Sequence, residues 1–170
     1  HVACYWGDVV TQYFPKHEVH AMARAFSCSE AVHAAAYSHL SDTLGLDEFE
    51  AFLGDPTASN KIDFFVNQTD PVVALGVFSG AGDVIPLFSS FAALLSYNLD
   101  GRFKGLSQII SWSALDEQQH SEGGGALFRQ LDSEGLVSDD QKRQVVEGFK
   151  AVLDNEDAFL ERIFNGYALS

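Results

Sequence analysis

The hydrophobic and polar positions along the chain predict long helices. Strands are hard to place, because no stretch alternates between apolar and polar residues over more than a few positions. The longest uninterrupted segment follows Pro15: residues 18–44 contain neither glycine nor proline, and Gly45 ends them. This segment is rich in alanine and serine. We therefore expect a long helix that neighbouring helices can approach closely and surround.

Further helices follow along the chain. The predicted segments are 47–53, 61–68, 71–97, 106–129 and 138–164. The sequence SGAGDVIP at 79–86 interrupts the third of them, and Pro86 predicts a kink or local unwinding because it lacks a backbone donor. Ser138–Gln141 has the form of a capping box. The fold class predicted is all-α, a bundle of long helices.

Length and charge narrow the range of functions. A chain of 170 residues and 18.6 kDa fits one globular domain or a piece of a larger one. With 24 acidic against 10 basic residues, the formal net charge is −14, which would repel a phosphate backbone. We therefore expect no nucleic-acid partner.

The cysteine content and the first residues of the chain indicate the cellular compartment in which the protein works. Cys4 and Cys28 form no C-x-x-C pair, so neither a disulfide framework nor a zinc ribbon is expected, and a reducing compartment is the default. No apolar run reaches the roughly 18 residues of a membrane span, and no signal-peptide pattern follows His1. A chain that opens at histidine suggests a fragment or a processed product.

Two predicted helices carry the same short motif of chemical interest. Glu30 and His33 lie midway along one helix, and Glu117 and His120 lie midway along another. At this i, i+3 spacing the carboxylate and the imidazole project from one face. A Glu-x-x-His on each of two helices, with one more carboxylate from each of two others, builds a dinuclear metal site inside a four-helix bundle. Carboxylate and imidazole ligands suit iron or manganese.

Each motif alone is more simply explained by surface Glu/His contacts or by core histidines with satisfied hydrogen bonds. The apolar surroundings of Glu30 favour the metal site, because an unpaired buried carboxylate would be very costly. Asp83 is the acidic residue of the interrupted helix, and serves equally well as a ligand or as a turn-capping residue.

Two more residues are candidates for chemistry near the metals. Tyr37 lies one turn beyond His33 on the same face, where it is either close to the metals or an ordinary core tyrosine. Asp116 directly precedes Glu117 and either supports a ligand histidine or faces solvent.

Taken together, these residues resemble the small, radical-generating subunit of class I ribonucleotide reductase. The resemblance covers most of the chain and lies in four segments. They are SEAVHAAAYSHLSDTLGL at 29–46, LFSSF at 87–91, GRFKGLSQII at 101–110 and ALDEQQHSEGG at 114–124. It implies a ferritin-like helical bundle with an internal dinuclear metal site, and a homodimer.

The resemblance also implies roles for individual residues. The implied metal ligands are Glu30, His33, Asp83, Glu117 and His120. Tyr37 stands at the position of the radical tyrosine, and Asp116 at that of the aspartate linking a histidine ligand to the radical-transfer path. Phe91 matches an aromatic residue of the apolar pocket around the tyrosine.

The chain departs from the family pattern at several positions. Asp83 is one methylene shorter than the usual glutamate, and Leu87 and Ser113 replace larger apolar residues near the tyrosine. One metal carboxylate and an electron-path tryptophan are expected upstream of His1, and a docking tail beyond Ser170. The interpretation is a single ferritin-like domain over 1–170, truncated at both ends.

The function implied is that of a cytoplasmic small subunit of ribonucleoside-diphosphate reductase. A pair of iron ions, or manganese or a mixed pair, would react with dioxygen and oxidise Tyr37. The oxidant would then pass to the large subunit, which reduces ribonucleotides to deoxyribonucleotides. Two alternatives stay open: a ferritin-like di-iron oxidase or iron-binding protein, and a non-catalytic helical module.

Overall fold

A computed structural model describes residues 2–45, 69–82 and 84–164, and most of these residues are helical. The helices are α1 (Val2–Cys4, then a π-helical segment Tyr5–Val10 and a last turn Thr11–Tyr13), α2 (His17–Leu44), α3 (Pro71–Val77, then a π-helical segment Phe78–Gly82), α4 (Ile85–Leu99), α5 (Lys104–Ser133) and α6 (Asp139–Phe164). No strand occurs within these ranges, so the all-α prediction is confirmed. The predicted helices at 47–53 and 61–68 lie outside the described residues.

Two helix ends have the local chemistry that the sequence predicts. Gly45 ends α2 in the left-handed conformation at φ 65°, and its N–H donates to the carbonyl of Asp42. The capping box at the start of α6 is confirmed. Ser138 Oγ accepts from the backbone N–H of Gln141 at 3.1 Å, and Gln141 Oε1 accepts from the backbone N–H of Ser138 at 2.9 Å.

The interruption predicted between α3 and α4 is also confirmed. The α-helix passes into the π-helical segment Phe78–Gly82, and a new helix begins at Ile85 with Pro86 in its first turn. At its other end, α3 is capped by Asp70, whose Oδ1 accepts from the N–H of Val72 at 2.8 Å. The second oxygen of Asp70 accepts from Nε2 of Gln141 at 3.0 Å and so joins α3 to α6.

The segment Pro71–Leu99 corrects the expectation that no part of the chain could span a membrane. By length and composition it passes that test: it has 29 residues, and its most apolar 18-residue window has a mean hydropathy of 1.7. However, 53% of that window is buried inside the protein. The buried core helix of a globular protein has the same composition, so the segment is weak evidence for a membrane span.

Helix α5 runs without a break through the three glycines that the sequence suggested would weaken it. A Cβ on Gly124 would lie 3.0 Å from Cη2 of Trp6, and one on Gly123 would lie 2.8 Å from Cζ of Phe26. Both distances are shorter than an ordinary van der Waals contact. The glycines therefore let α1, α2 and α3 approach α5 closely. The predicted end at Arg129 was too early, since α5 continues to Ser133.

Helix α1 was not predicted, and it supplies much of the core. Trp6 and Val10 are fully buried, and Phe14 is 8% exposed. These three apolar residues are spaced four apart, which is the helical signal that the sequence contained. The Trp6 ring lies 5.0 Å from that of Phe26, so α1 packs directly over the middle of α2.

Candidate metal centre

The two Glu-x-x-His motifs face each other across the contact between α2 and α5, and they pair reciprocally. His33 Nδ1 on α2 lies 3.1 Å from Oε1 of Glu117 on α5. His120 Nδ1 on α5 lies 3.0 Å from Oε1 of Glu30 on α2. The exposed fractions of the four side chains are 11% for Glu30 and His33, 3% for Glu117 and 1% for His120. The predicted pairing of the motifs is therefore found in the protein interior.

The donor set of this cluster fits a metal ion. The ligand atoms of Glu30, Glu117 and His120 all lie within 4.8 Å of one another. Among the described residues, the buried atoms Oε1 of Glu30 and Nδ1 of His33 contact the facing His120 and Glu117 only as ion pairs, without hydrogen-bond geometry. Buried polar atoms without a hydrogen bond are costly. A cation bound between the carboxylates and imidazoles would satisfy them, and iron and manganese accept this mixture of oxygen and nitrogen ligands.

The electrostatics of the metal-free cluster are those of tightly coupled ion pairs. Burial alone raises the pKa of Glu30, but the facing His120 and His33 outweigh burial and lower it to about 2. The carboxylates of Glu117 and Glu30 raise the pKa of His33 to about 10, against the effect of burial. Without metal, His33 is therefore cationic at neutral pH, and a metal ion must displace its proton.

Each histidine is held on its outer side by a second contact. Nε2 of His33 lies 2.9 Å from Oδ2 of Asp116, which is the first of the two arrangements that the sequence left open for this carboxylate. Nε2 of His120 lies 2.8 Å from Oγ of Ser29. Since Ser29 donates its own proton to the carbonyl of Phe26, it accepts from Nε2–H of His120. Both imidazoles therefore turn Nδ1 toward the carboxylates.

Ser29 is a site residue that the sequence reasoning missed. It directly precedes Glu30, and no spacing pattern marks it as a partner of a histidine 91 positions away.

Tyr37 lies one helical turn beyond His33, is half-buried and turns its hydroxyl toward α5. It donates a hydrogen bond to Oγ of Ser113 at 3.1 Å. The ring packs against a cluster of buried apolar residues from α4 and α5: Phe91, Leu106 and Ile110. Burial and then the negative charge of Glu117 raise the pKa of Tyr37 above its usual value, although Ser113 opposes them. The phenol therefore stays protonated at neutral pH.

The structure brings together six of the seven residues singled out in the sequence: Glu30, His33, Tyr37, Asp116, Glu117 and His120. Asp83 lies outside the described residues, and its role as a ligand stays a prediction.

Comparison with known proteins gives the same family throughout. The family model described as "Ribonucleotide reductase, small chain" matches residues 1–169. A relative named as a probable ribonucleoside-diphosphate reductase small subunit, from Invertebrate iridescent virus 6, is 33% identical over 92% of this chain and 52% of its own length. Its counterpart from Invertebrate iridescent virus 3 is 28% identical over 91% of this chain and 48% of its own length. The chain thus spans about half the length of the curated relatives it matches.

Proposed function

This chain belongs to the ribonucleotide reductase small-chain family, and on that premise we propose that it carries the oxidant-generating centre of a ribonucleoside-diphosphate reductase. The observation that supports this function is the reciprocal pairing of Glu30 with His120 and of Glu117 with His33 in the protein interior. Family membership and the geometry support the same proposal, a metal centre between α2 and α5.

The proposed cofactor is a dinuclear iron centre, with manganese or a mixed pair as the alternatives. Glu30, His33, Glu117 and His120 would hold it, with Asp83 as a further ligand. When bound and exposed to dioxygen, the metal pair would supply the oxidising power that removes one electron and one proton from Tyr37.

The surrounding residues prepare the site for this chemistry. The rings of Phe26 and Trp6 lie 4.4 and 6.0 Å from that of His120, and they exclude water from one side. Asp116 is 42% exposed, and its contact with His33 links the protein surface to the interior of the cluster. We propose this link as the route along which the oxidant leaves the site.

We propose that the large reductase subunit is the partner that receives the oxidant and reduces ribonucleotides to deoxyribonucleotides. By the same family argument, we expect a homodimer in the cytoplasm, with residues 1–170 part of one ferritin-like domain. The net charge of −14 agrees with a subunit that binds no nucleic acid itself.

The test is to load the protein containing this chain with ferrous iron, expose it to oxygen and record its electron paramagnetic resonance. We expect a tyrosyl signal that Tyr37→Phe abolishes. Tyr97→Phe is the matched control, since Tyr97 is exposed on α4 and packs edge-to-face against Phe103. Bound iron without any tyrosyl signal would favour an oxidase instead, and failure to bind iron would leave a non-catalytic module.

A further inference from the structure

Tyr37 and Ser113 form a hydroxyl pair one helical turn away from the Glu/His cluster. Tyr37 follows His33 by four residues on α2, and Ser113 precedes Glu117 by four residues on α5. Since four residues of helix rise about 6 Å, both helices carry their hydroxyl group at the same level beside the cluster. The 3.1 Å bond between the two oxygens joins α2 to α5 at that level.

The surroundings of this pair are apolar. Ser113 is only 2% exposed, and Tyr37 packs against Phe91 and Ile110. Among the described residues, Ser113 is the one side chain that forms a hydrogen bond with the Tyr37 hydroxyl. The other buried serine of α5, Ser107, donates instead to the backbone carbonyl of Phe103, directly before that helix.

A serine hydroxyl can reverse its role by turning about its Cβ–Oγ bond. It accepts from a protonated phenol, and it donates to a phenol oxygen that has lost its hydrogen. Because burial holds Ser113 against Tyr37, the same contact can serve both states.

We propose that Ser113 is a positioning residue for Tyr37. It fixes the orientation of the phenol hydroxyl in the resting protein and donates a hydrogen bond to the phenoxyl oxygen once Tyr37 is oxidised. The hydrogen bond to the phenoxyl oxygen rests on the proposed function, whereas the orientation of the phenol in the resting protein does not.

The resting contact is tested on the metal-free chain by ultraviolet Raman spectroscopy. The intensity ratio of the tyrosine ring doublet reports the hydrogen bonding of the phenol. Subtracting the Tyr37→Phe spectrum isolates the contribution of Tyr37. We expect Ser113→Ala to shift this ratio to that of a phenol without an acceptor. Ser107→Ala, which removes a buried serine hydroxyl elsewhere on α5, should leave it unchanged. An unchanged ratio in Ser113→Ala would overturn the proposal.

The oxidised contact is tested on the iron-loaded protein after exchange into D₂O. We expect the tyrosyl radical to show a coupling to one exchangeable deuteron, which Ser113→Ala abolishes and Ser113→Thr retains. Persistence of the coupling in Ser113→Ala would assign the deuteron to another donor and overturn the role of Ser113 in the oxidised protein. Absence of any radical in the unaltered protein would overturn the role of Tyr37 itself, while the Raman comparison would still decide the resting contact.

Discussion

Oδ2 of Asp116 lies 2.9 Å from Nε2 of His33, on the side of the imidazole opposite to the carboxylates of Glu30 and Glu117. The imidazole of His33 therefore contacts carboxylates on both sides. The outer carboxylate fixes the direction of the ring and makes Nδ1 a stronger donor to a metal ion.

Removing the charge of Asp116 should weaken metal binding. We expect Asp116→Asn to lower the affinity for Mn²⁺ or Fe²⁺ by about 10–100-fold, because the amide orients His33 poorly and no longer stabilises it as a ligand. A competition titration against a chelating dye measures this. Glu122→Gln is the matched control on α5, since Glu122 is exposed and contacts Gln118. An equal loss in both variants would show that overall charge, and not the contact with His33, sets the affinity.

The stability of the metal-free chain should depend on pH at both ends of the range. The pKa of Glu30 is lowered from 4.5 to about 2, so its contribution is complete above pH 4.5 and is lost as the pH falls toward 2. The pKa of His33 is raised from 6.5 to about 10, so its contribution is complete below pH 6.5 and is lost as the pH rises toward 10.

These two groups together predict maximum stability between about pH 4.5 and 6.5. Urea denaturation in the presence of EDTA measures the free energy of unfolding across this range. His33→Gln should flatten the alkaline side of the profile and reduce the acidic loss without abolishing it, because His120 still faces Glu30. A profile of unchanged shape in that variant would show that other groups cause the alkaline decline.

The sequence predicted the buried Glu/His cluster better than it predicted the surroundings of that cluster. Glu30, His33, Glu117 and His120 could be found because a metal site would demand specific residue types at helical spacing, and this spacing is local. Ser29 could not be found, since its contact with His120 depends on how α2 and α5 pack. Ser113 was found only as a small residue near Tyr37, and its hydrogen bond to the phenol depends on the same packing.

The same distinction applies to the fold. Helix α1 was overlooked because its spaced apolar residues belong to a short segment with a π-helical turn. The three glycines at 123–125 appeared to weaken a helix when read locally. In the folded chain two of them are contact points for other helices, and tertiary packing outweighs their low helix propensity.

Replacing Gly124 and Gly125 of α5 by alanine should change the stability of the chain in different directions. A Cβ on Gly124 would meet Trp6 and Ser79, so Gly124→Ala should destabilise the chain by about 1–3 kcal/mol through overpacking. A Cβ on Gly125 would meet only the flexible end of Arg129, so Gly125→Ala should be neutral or stabilising by up to about 1 kcal/mol. Thermal unfolding of both variants checks this. Similar behaviour of the two would contradict the close approach at Gly124.

The cap of α3 should contribute measurably to stability. Asp70→Ala removes the acceptor of the Val72 N–H bond and the link to Gln141, and we expect a loss of about 1–2 kcal/mol in the free energy of unfolding. Asp100→Ala removes an exposed aspartate that pairs with Arg102 and should cost no more than about 0.5 kcal/mol. Urea denaturation distinguishes them, and equal losses would argue against the cap.

The one-turn spacing of the site along α2 and α5 has a consequence for insertions and deletions. One residue added to an α-helix turns everything beyond it by about 100° around the axis. An insertion within 34–36 would keep Glu30 and His33 in place but carry the phenol of Tyr37 away from Ser113. Among descendants of this sequence, we therefore expect the stretches 30–37 and 113–120 to keep a constant length, while the connections between helices vary.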